Sequence, residues 1–221
     1  MYIRTKHLMN IELFRMTHIE NTLHILQYGI THKSSRNCNM NYENIGDISL
    51  IDTRGNKKIN VTNGGNTVIK TIILGDYIAF YFGVKMPMLY VIQHGGNYVK
   101  KQTQPQNIIY IVCNLDEIVK LNKEYYFTDG HATNNLTTYY DSSKINEIKN
   151  ILDWEAINAL FWGREEKLTI KWKKQAEFLV KGDLPVTIIK RYICYNDEAK
   201  SRLISFGILG ENIVIDQSAY Y

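Results

Sequence analysis

Glu177 is the only carboxylate in the stretch KWKKQAEFLVKG, Lys171 to Gly182. Three lysines precede it and the apolar run Phe178-Leu179-Val180 follows. Neighbouring side chains of a strand point to opposite faces, so Glu177 and Phe178 point opposite ways. A carboxylate turned into a cleft can stabilise growing positive charge or take a proton as general base. A solvated charge on the outer face of a strand would fit the same pattern, so the stretch alone leaves both readings open.

Other residues invite chemistry. Thr17-His18 is a polar pair at the end of a strand, just before a helix, where a hydrogen-bonded structural histidine is as good a reading as a functional one. His131 follows Asp129-Gly130, a dipeptide that reads as a turn and would expose the ring at a strand end. Arg54 precedes a glycine in LIDTRGNKK, where its planar fork could meet a phosphate or a base, or simply sit in a surface loop. His7, His24, His32 and His94 read as structural. Asp129, His131 and Glu177 can be assembled into a metal-dependent nuclease site, but their wide separations make that choice arbitrary. No GxGxxG or GxxxxGK[ST] phosphate loop, HExxH or CxxC is present, and no metal is expected.

The elements that would position these groups mix without strict βαβ alternation. Ile11–Ile19 alternates as a strand with Phe14, Met16 and His18 on one face. Asn21–Gly29 reads as a short helix with Asn21 as N-cap and Gly29 at its end. Thr31–Asn66 is rich in Asn, Gly and Ser and reads as a long irregular excursion. Asp76–Gly83 is a strand, Met88–Gly95 a strand or short helix, and Asn107–Leu115 a wholly apolar central strand. A helix capped by Asn114 follows, with Glu117 three residues on. Tyr125–Thr133 reads as a strand entering the Asp129-Gly130 turn, and Asp153–Trp162 as a capped helix. The strand of Glu177, a strand over Pro185–Tyr195, a helix over Asn196–Gly207 and a last strand over Glu211–Asp216 complete the chain. The pattern predicts an α+β fold with mainly antiparallel sheets.

At 221 residues the chain is expected to form one domain, 1–221, with a substantial core. The longest apolar runs are too short to span a bilayer. The N-terminus lacks the apolar segment of a signal peptide. Cys38, Cys113 and Cys194 have no metal-like spacing, and three free thiols suit a reducing cytoplasm. The formal charge is +4, with 16 tyrosines. Basic groups interleaved with aromatics suit single-stranded nucleic acid, though a tyrosine-rich core with a solvated basic face has the same composition.

Four blocks in order carry a resemblance: FRMTHIENTLHILQYGI, GDYIAFYFGVKMPMLYVIQHG, FTDGHAT and KKQAEFLVKGDLP. Together they resemble the DarT family of DNA ADP-ribosyltransferase toxins, from about Leu8 to about Ala199. The resemblance implies an ADP-ribosyltransferase fold, two packed sheets around a cleft for NAD. It implies transfer of ADP-ribose from NAD to thymine or guanine in single-stranded DNA, with nicotinamide released. It implies a toxin with a partner antitoxin, the macrodomain protein DarG; a monomer is expected. RNA or protein as acceptor, or a non-catalytic nucleic-acid-binding module, are the alternatives.

Site roles follow by resemblance. Glu177 matches the catalytic glutamate, acting at the ribose and on the acceptor base, and Arg54 the catalytic arginine. Thr17, His18, Tyr77, Tyr81 and His131 match NAD-binding positions. Lys85, Arg164, Lys171, Lys173 and Lys174 are expected on DNA, with the segment before Glu177 expected as a loop. Many members read PRSPMLY where this chain has Val84–Tyr90, and carry arginines where it has Lys171-Trp172-Lys173-Lys174. Lysine keeps the charge and loses bidentate recognition.

Overall fold

Ile108–Val112 is completely buried, and an apolar run with no solvent-facing side is the mark of a central strand. The computed structural model describes residue 8, residues 10–96, residue 99, residues 101–163 and residues 167–221. Its strands are β1 Glu12–His18, β2 Lys58–Val61, β3 Lys70–Ile73, β4 Tyr77–Tyr81, β5 Ile108–Asn114, β6 Tyr125–His131, β7 Tyr139–Tyr140, β8 Ala176–Lys181, β9 Ile189–Cys194 and β10 Ile213–Ile215. Its helices are α1 Thr22–Tyr28, α2 Ile48–Asn56, α3 Pro87–His94, α4 Leu115–Lys120, α5 Ile148–Ile151, α6 Trp154–Asn158, α7 Leu168–Lys174 and α8 Asp197–Ser205.

Eight strands run in the order β10-β9-β5-β1-β4-β8-β6-β7, and β2-β3 form a separate hairpin. Strand pairing is antiparallel except between β9 and β10, which α8 connects as a crossover. The long sheet is nearly two sheets. β1 pairs with β5 along its whole length, but with β4 only at Phe14 opposite Tyr81. The two four-stranded halves therefore part beyond that contact, and a cleft opens between them. Phe178 and Val180 face the main core on one side of β8. Leu179 faces the cluster under the β2-β3 hairpin on the other, and the alternation places Glu177 on this hairpin side.

Several elements differ from the sequence expectation. The Thr31–Asn66 excursion contains α2, capped by Asp47, whose carboxylate accepts from Leu50 N at 3.2 Å, and then β2. Arg54 is thus helical, not in a loop. Asn21 and Asn114 precede their helices, but neither side chain makes a cap hydrogen bond. Asp129-Gly130 lies inside β6 and is not a turn. The approach to Glu177 is α7 rather than a loop, and α6 ends at Asn158, short of Trp162. Met88–Gly95 resolves as helix, with Pro87 in its first turn, where a missing N–H costs nothing.

Candidate active site

Glu177 sits where the sheet ladder is interrupted. Phe127 of β6 pairs with Phe178, but His131 pairs with Ala176, so Thr128, Asp129 and Gly130 all face Glu177 alone. Bulges of this kind re-aim side chains next to active sites. The backbone N–H of Glu177 donates to Thr128 Oγ1 at 2.9 Å, and that hydroxyl donates to Gly130 O at 2.7 Å. Beyond the bulge, Ala132 N donates to Glu177 Oε1 at 3.0 Å. Gly130 is required by packing: a Cβ there would lie 2.1 Å from Trp172 Nε1. Trp172 of α7 lies against this glycine and donates its indole N–H to Thr137 at 2.7 Å, so α7 holds the bulge from outside.

Arg54 completes the centre. It lies in the last turn of α2, where the helix dipole favours a cation. Its Nη1 is 3.0 Å from Glu177 Oε1 and 2.8 Å from Oε2. The glutamate side chain is 1% exposed and the arginine 20%. Burial works against the Arg54 charge, but the neighbouring carboxylate outweighs it and the guanidinium is held above its ordinary pKa. Arg54 Nη2 is buried and makes no hydrogen bond, and Glu177 Oε2 meets only Arg54 Nη1. An unsatisfied buried donor in a native site calls for an explanation, and a substrate that accepts from Arg54 Nη2 supplies it.

A cavity of about 610 Å³ extends from Arg54 along the gap between the sheet halves, within the range of small-molecule sites. Arg15, Thr17, Asn21, Tyr42, Arg54 and Gly75 are among the residues lining it. The floor is sewn to its cover by Asn21. Its amide donates to Thr17 Oγ1 and to Glu43 O, each at 2.9 Å, and its carbonyl accepts from Glu43 N at 2.9 Å. Asp183 ties the same cover down, accepting from His32 N at 2.7 Å and Ser35 Oγ at 2.5 Å. Two arginines with amide and hydroxyl groups around an apolar cleft suit a dinucleotide with a pyrophosphate and two riboses.

The sequence-derived residues separate into groups. Glu177, Arg54, Tyr81 and His131 surround one point. Tyr81 faces Glu177 across the ladder, and burial with that carboxylate raises its phenol. His131 Nδ1 is 2.8 Å from Thr133 Oγ1. Burial pushes its imidazole down, partly offset by Glu177. Thr17 lines the cavity. Tyr77 also borders it, but its hydroxyl turns to Glu124 at 2.9 Å. His18 is not among the cavity's lining residues. Its Nδ1 accepts from Glu20 N at 3.3 Å, and burial lowers its pKa despite Glu43 and Glu20.

Of the basic residues, Lys171 is exposed and lies 5.3 Å from the Trp162 ring centre. Lys85 lies 5.1 Å from that of Tyr221. Lys173 pairs with Asp153 at 2.9 Å. Lys174 is 2% exposed, donating to Ile157 O at 2.8 Å and Val84 O at 3.4 Å. Its ammonium is turned inward and joins α7 to α6, so it presents no charge to a DNA surface. Arg164 lies outside the described residues. Thr128, Asn21 and Arg15 escaped the sequence reading. Only Asn21 carried a signal, as the N-cap residue of α1, although its side chain serves the cavity and not the helix. Among the described residues no group of three or more His, Cys, Asp or Glu could hold a metal ion.

A split sheet with a glutamate and an arginine beside its cleft agrees with the ADP-ribosyltransferase fold that the resemblance implies. Two solved structures share this fold. Thermus sp. 2.9 DarT in complex with ADP-ribosylated ssDNA matches at a TM-score of 0.80 and 24% identity over 96% of both chains. The same protein in complex with NAD+ matches at 0.74 and 25% identity, over 96% of this chain and 98% of that one. The family model described as ssDNA thymidine ADP-ribosyltransferase, DarT, matches residues 14–221. A DNA ADP-ribosyl transferase of Escherichia coli O127:H6 is 31% identical over 86% of this chain and 83% of its own length. A Thermosipho africanus relative, a DNA ADP-ribosyl transferase–DNA ADP-ribosyl glycohydrolase fusion, is 29% identical over 82% of this chain. The chain belongs to the DarT family and is a DNA ADP-ribosyltransferase.

Proposed function

We propose that this chain transfers ADP-ribose from NAD to thymidine in single-stranded DNA, as a single catalytic domain. The family description names thymidine. The observation that carries the site assignment is the buried Glu177–Arg54 pair, whose arginine lines the cavity and keeps Nη2 without a partner. Arg54 and Arg15 bind the pyrophosphate side of NAD, with Thr17 and Asn21 on its sugars. The bond from ribose to nicotinamide breaks, and nicotinamide leaves with the electron pair. The transition state is oxocarbenium-like, and a nearby carboxylate stabilises it.

Thymine attached to deoxyribose has one ring nitrogen free, N3, and that nitrogen carries a proton. It becomes a nucleophile as the proton leaves, and Glu177 takes that proton as general base. The same N–H lies on the pairing edge, so a duplex hides it and a single strand exposes it. Tyr81 and His131 shape the acceptor end beside Glu177. Lys171 and Lys85 meet the DNA backbone.

The Thermosipho fusion supports a partner glycohydrolase of the DarG type that removes the mark. No helix among the described residues is long and apolar enough to cross a membrane, and we place the protein as a cytoplasmic monomer, where NAD and DNA meet. Mass spectrometry of DNA and RNA oligonucleotides differing at one base, after incubation with NAD, tests the reading. An ADP-ribose adduct confined to single-stranded DNA containing thymidine is expected. An adduct on guanine or on RNA overturns the base or polymer assignment.

A further inference from the structure

Two chain segments leave the catalytic point in different directions. β4 ends at Tyr81, opposite Glu177, and the bend after it reaches Lys85 four residues on, within about 14 Å of chain. α7 arrives from the other side, with Lys171 six residues before Glu177. Each lysine is placed over an aromatic ring, Lys85 over Tyr221 and Lys171 over Trp162.

These rings form one cluster. Trp162 Nε1 donates to the Tyr221 hydroxyl at 2.6 Å, which donates to Lys85 O at 2.8 Å. Lys85 N donates to the Tyr110 hydroxyl at 3.0 Å, so both backbone groups of Lys85 are held by tyrosines. Its φ is +58°, a left-handed conformation that a lysine keeps only when its surroundings hold it there. Tyr90 stacks on His94 with ring centres 4.3 Å apart and planes 16° apart, and meets Trp162 and Tyr221 edge-on. The cluster reaches from core to surface: Tyr221 is half-buried and packs against a core cluster, Trp162 is half-buried, and Tyr90, 44% exposed, and His94 face solvent. Partly exposed rings held in place by hydrogen bonds and interleaved with cations are the components of a single-strand binding surface.

We propose that Tyr90, His94, Trp162 and Tyr221 form a stacking platform for nucleotides flanking the acceptor thymidine, with Lys85 and Lys171 on their phosphates. The proposal rests on the reading of single-stranded DNA as acceptor. It assigns grip on the flanking strand to rings, where the departures from the family's arginines left that grip unexplained.

The test compares a dodecamer with a trinucleotide centred on the same thymidine, at saturating NAD. Wild type is expected to favour the dodecamer through KM. Tyr90→Ala is expected to raise the dodecamer KM by about 5- to 140-fold, the loss of one stacked base, and so to close the gap between the two lengths. Tyr90→Phe keeps the ring and is expected to keep the preference. Lys85→Gln with Lys171→Gln is expected to flatten the log–log salt dependence of dodecamer binding by about 1.4, for two phosphate contacts on a single strand. Anisotropy of a labelled dodecamer without NAD reads the platform separately from transfer. Binding without transfer refutes the activity reading and leaves the platform standing. Transfer with wild-type length preference in Tyr90→Ala refutes the platform.

Discussion

Glu177→Gln separates the chemistry of the carboxylate from its packing. Glutamine keeps the volume, and its amide oxygen still accepts from Ala132 N, as Glu177 Oε1 does at 3.0 Å. What disappears is the negative charge 2.8 and 3.0 Å from Arg54 Nη1. Breaking a buried ion pair from one side costs about 3–5 kcal/mol, because the other charge is left uncompensated. Arg54 retains 20% exposure, so water screens part of that cost, and the lower end, about 3 kcal/mol, is expected. For a chain of this size each kcal/mol lowers Tm by about 2–4 °C, so a fall of roughly 6–12 °C follows. Transfer should fall about 10²- to 10⁴-fold, the scale of a lost general base. Thermal unfolding gives the first quantity, and nicotinamide release with an oligonucleotide and saturating NAD gives the second. Adding Arg54→Met removes the stranded cation. The double variant should recover most of the lost Tm and none of the activity. Wild-type turnover in Glu177→Gln would refute the catalytic assignment, and an unchanged Tm would refute the buried pair as a source of stability.

Gly130→Ala should destabilise the protein by about 1–3 kcal/mol through overpacking against Trp172, and should slow transfer because the bulge carries Ala132 N to Glu177. Trp172→Ala in the same chain should relieve part of the added strain in thermal unfolding, and a strictly additive double variant would refute the contact. Lys174 is held down from 10.5 to about 8, first by burial and then by Lys85. The unfolded chain therefore binds more protons than the folded one between those values, and stability rises with pH from about 8 toward 10. The full difference corresponds to roughly 3 kcal/mol. Lys174→Met should abolish that rise in a series of melts across pH, and a slope equal to wild type would show that the ammonium is solvated.

Strand identity was legible wherever the apolar pattern decided it. Ile108–Cys113 permits nothing but a buried strand, and the alternation around Phe178 correctly set Glu177 on the opposite face from the main core. Arg54 was legible as a residue but not as a helical one. Its helix has no buried residue, so no apolar periodicity marked it, and only the Asp47 cap signalled its start. Asp129-Gly130 misled for the opposite reason. The glycine is there to admit an indole from α7, a contact 42 positions away in the chain, and nothing local separates that need from a turn. Lys174 shows the same limit. Three lysines within four residues read as one basic segment, yet Lys171 is exposed while Lys174, at the end of α7, is buried with its ammonium on Ile157 O.

The centre is assembled where two breaks in one sheet meet, and in each a polar side chain replaces a lost strand partner. At the first, β1 and β4 separate beyond Phe14 and Tyr81, and Arg15 Nη1 donates to Ala79 O at 2.9 Å across the gap. At the second, the β6 bulge removes a backbone partner from Glu177, and Thr128 Oγ1 accepts its N–H. A buried amide or carbonyl left without a partner would close such gaps by rearrangement, since each costs about 1–3 kcal/mol. Arg15 and Thr128 make the open geometry affordable. The first break opens the cavity proposed for NAD, and the second turns Glu177 toward Arg54, which lines it. Thr128→Val, close in shape and without the hydroxyl, should therefore reduce transfer as well as stability, although residue 128 touches no substrate. A variant that loses Tm but keeps kcat would show that the bulge holds the fold and not the carboxylate.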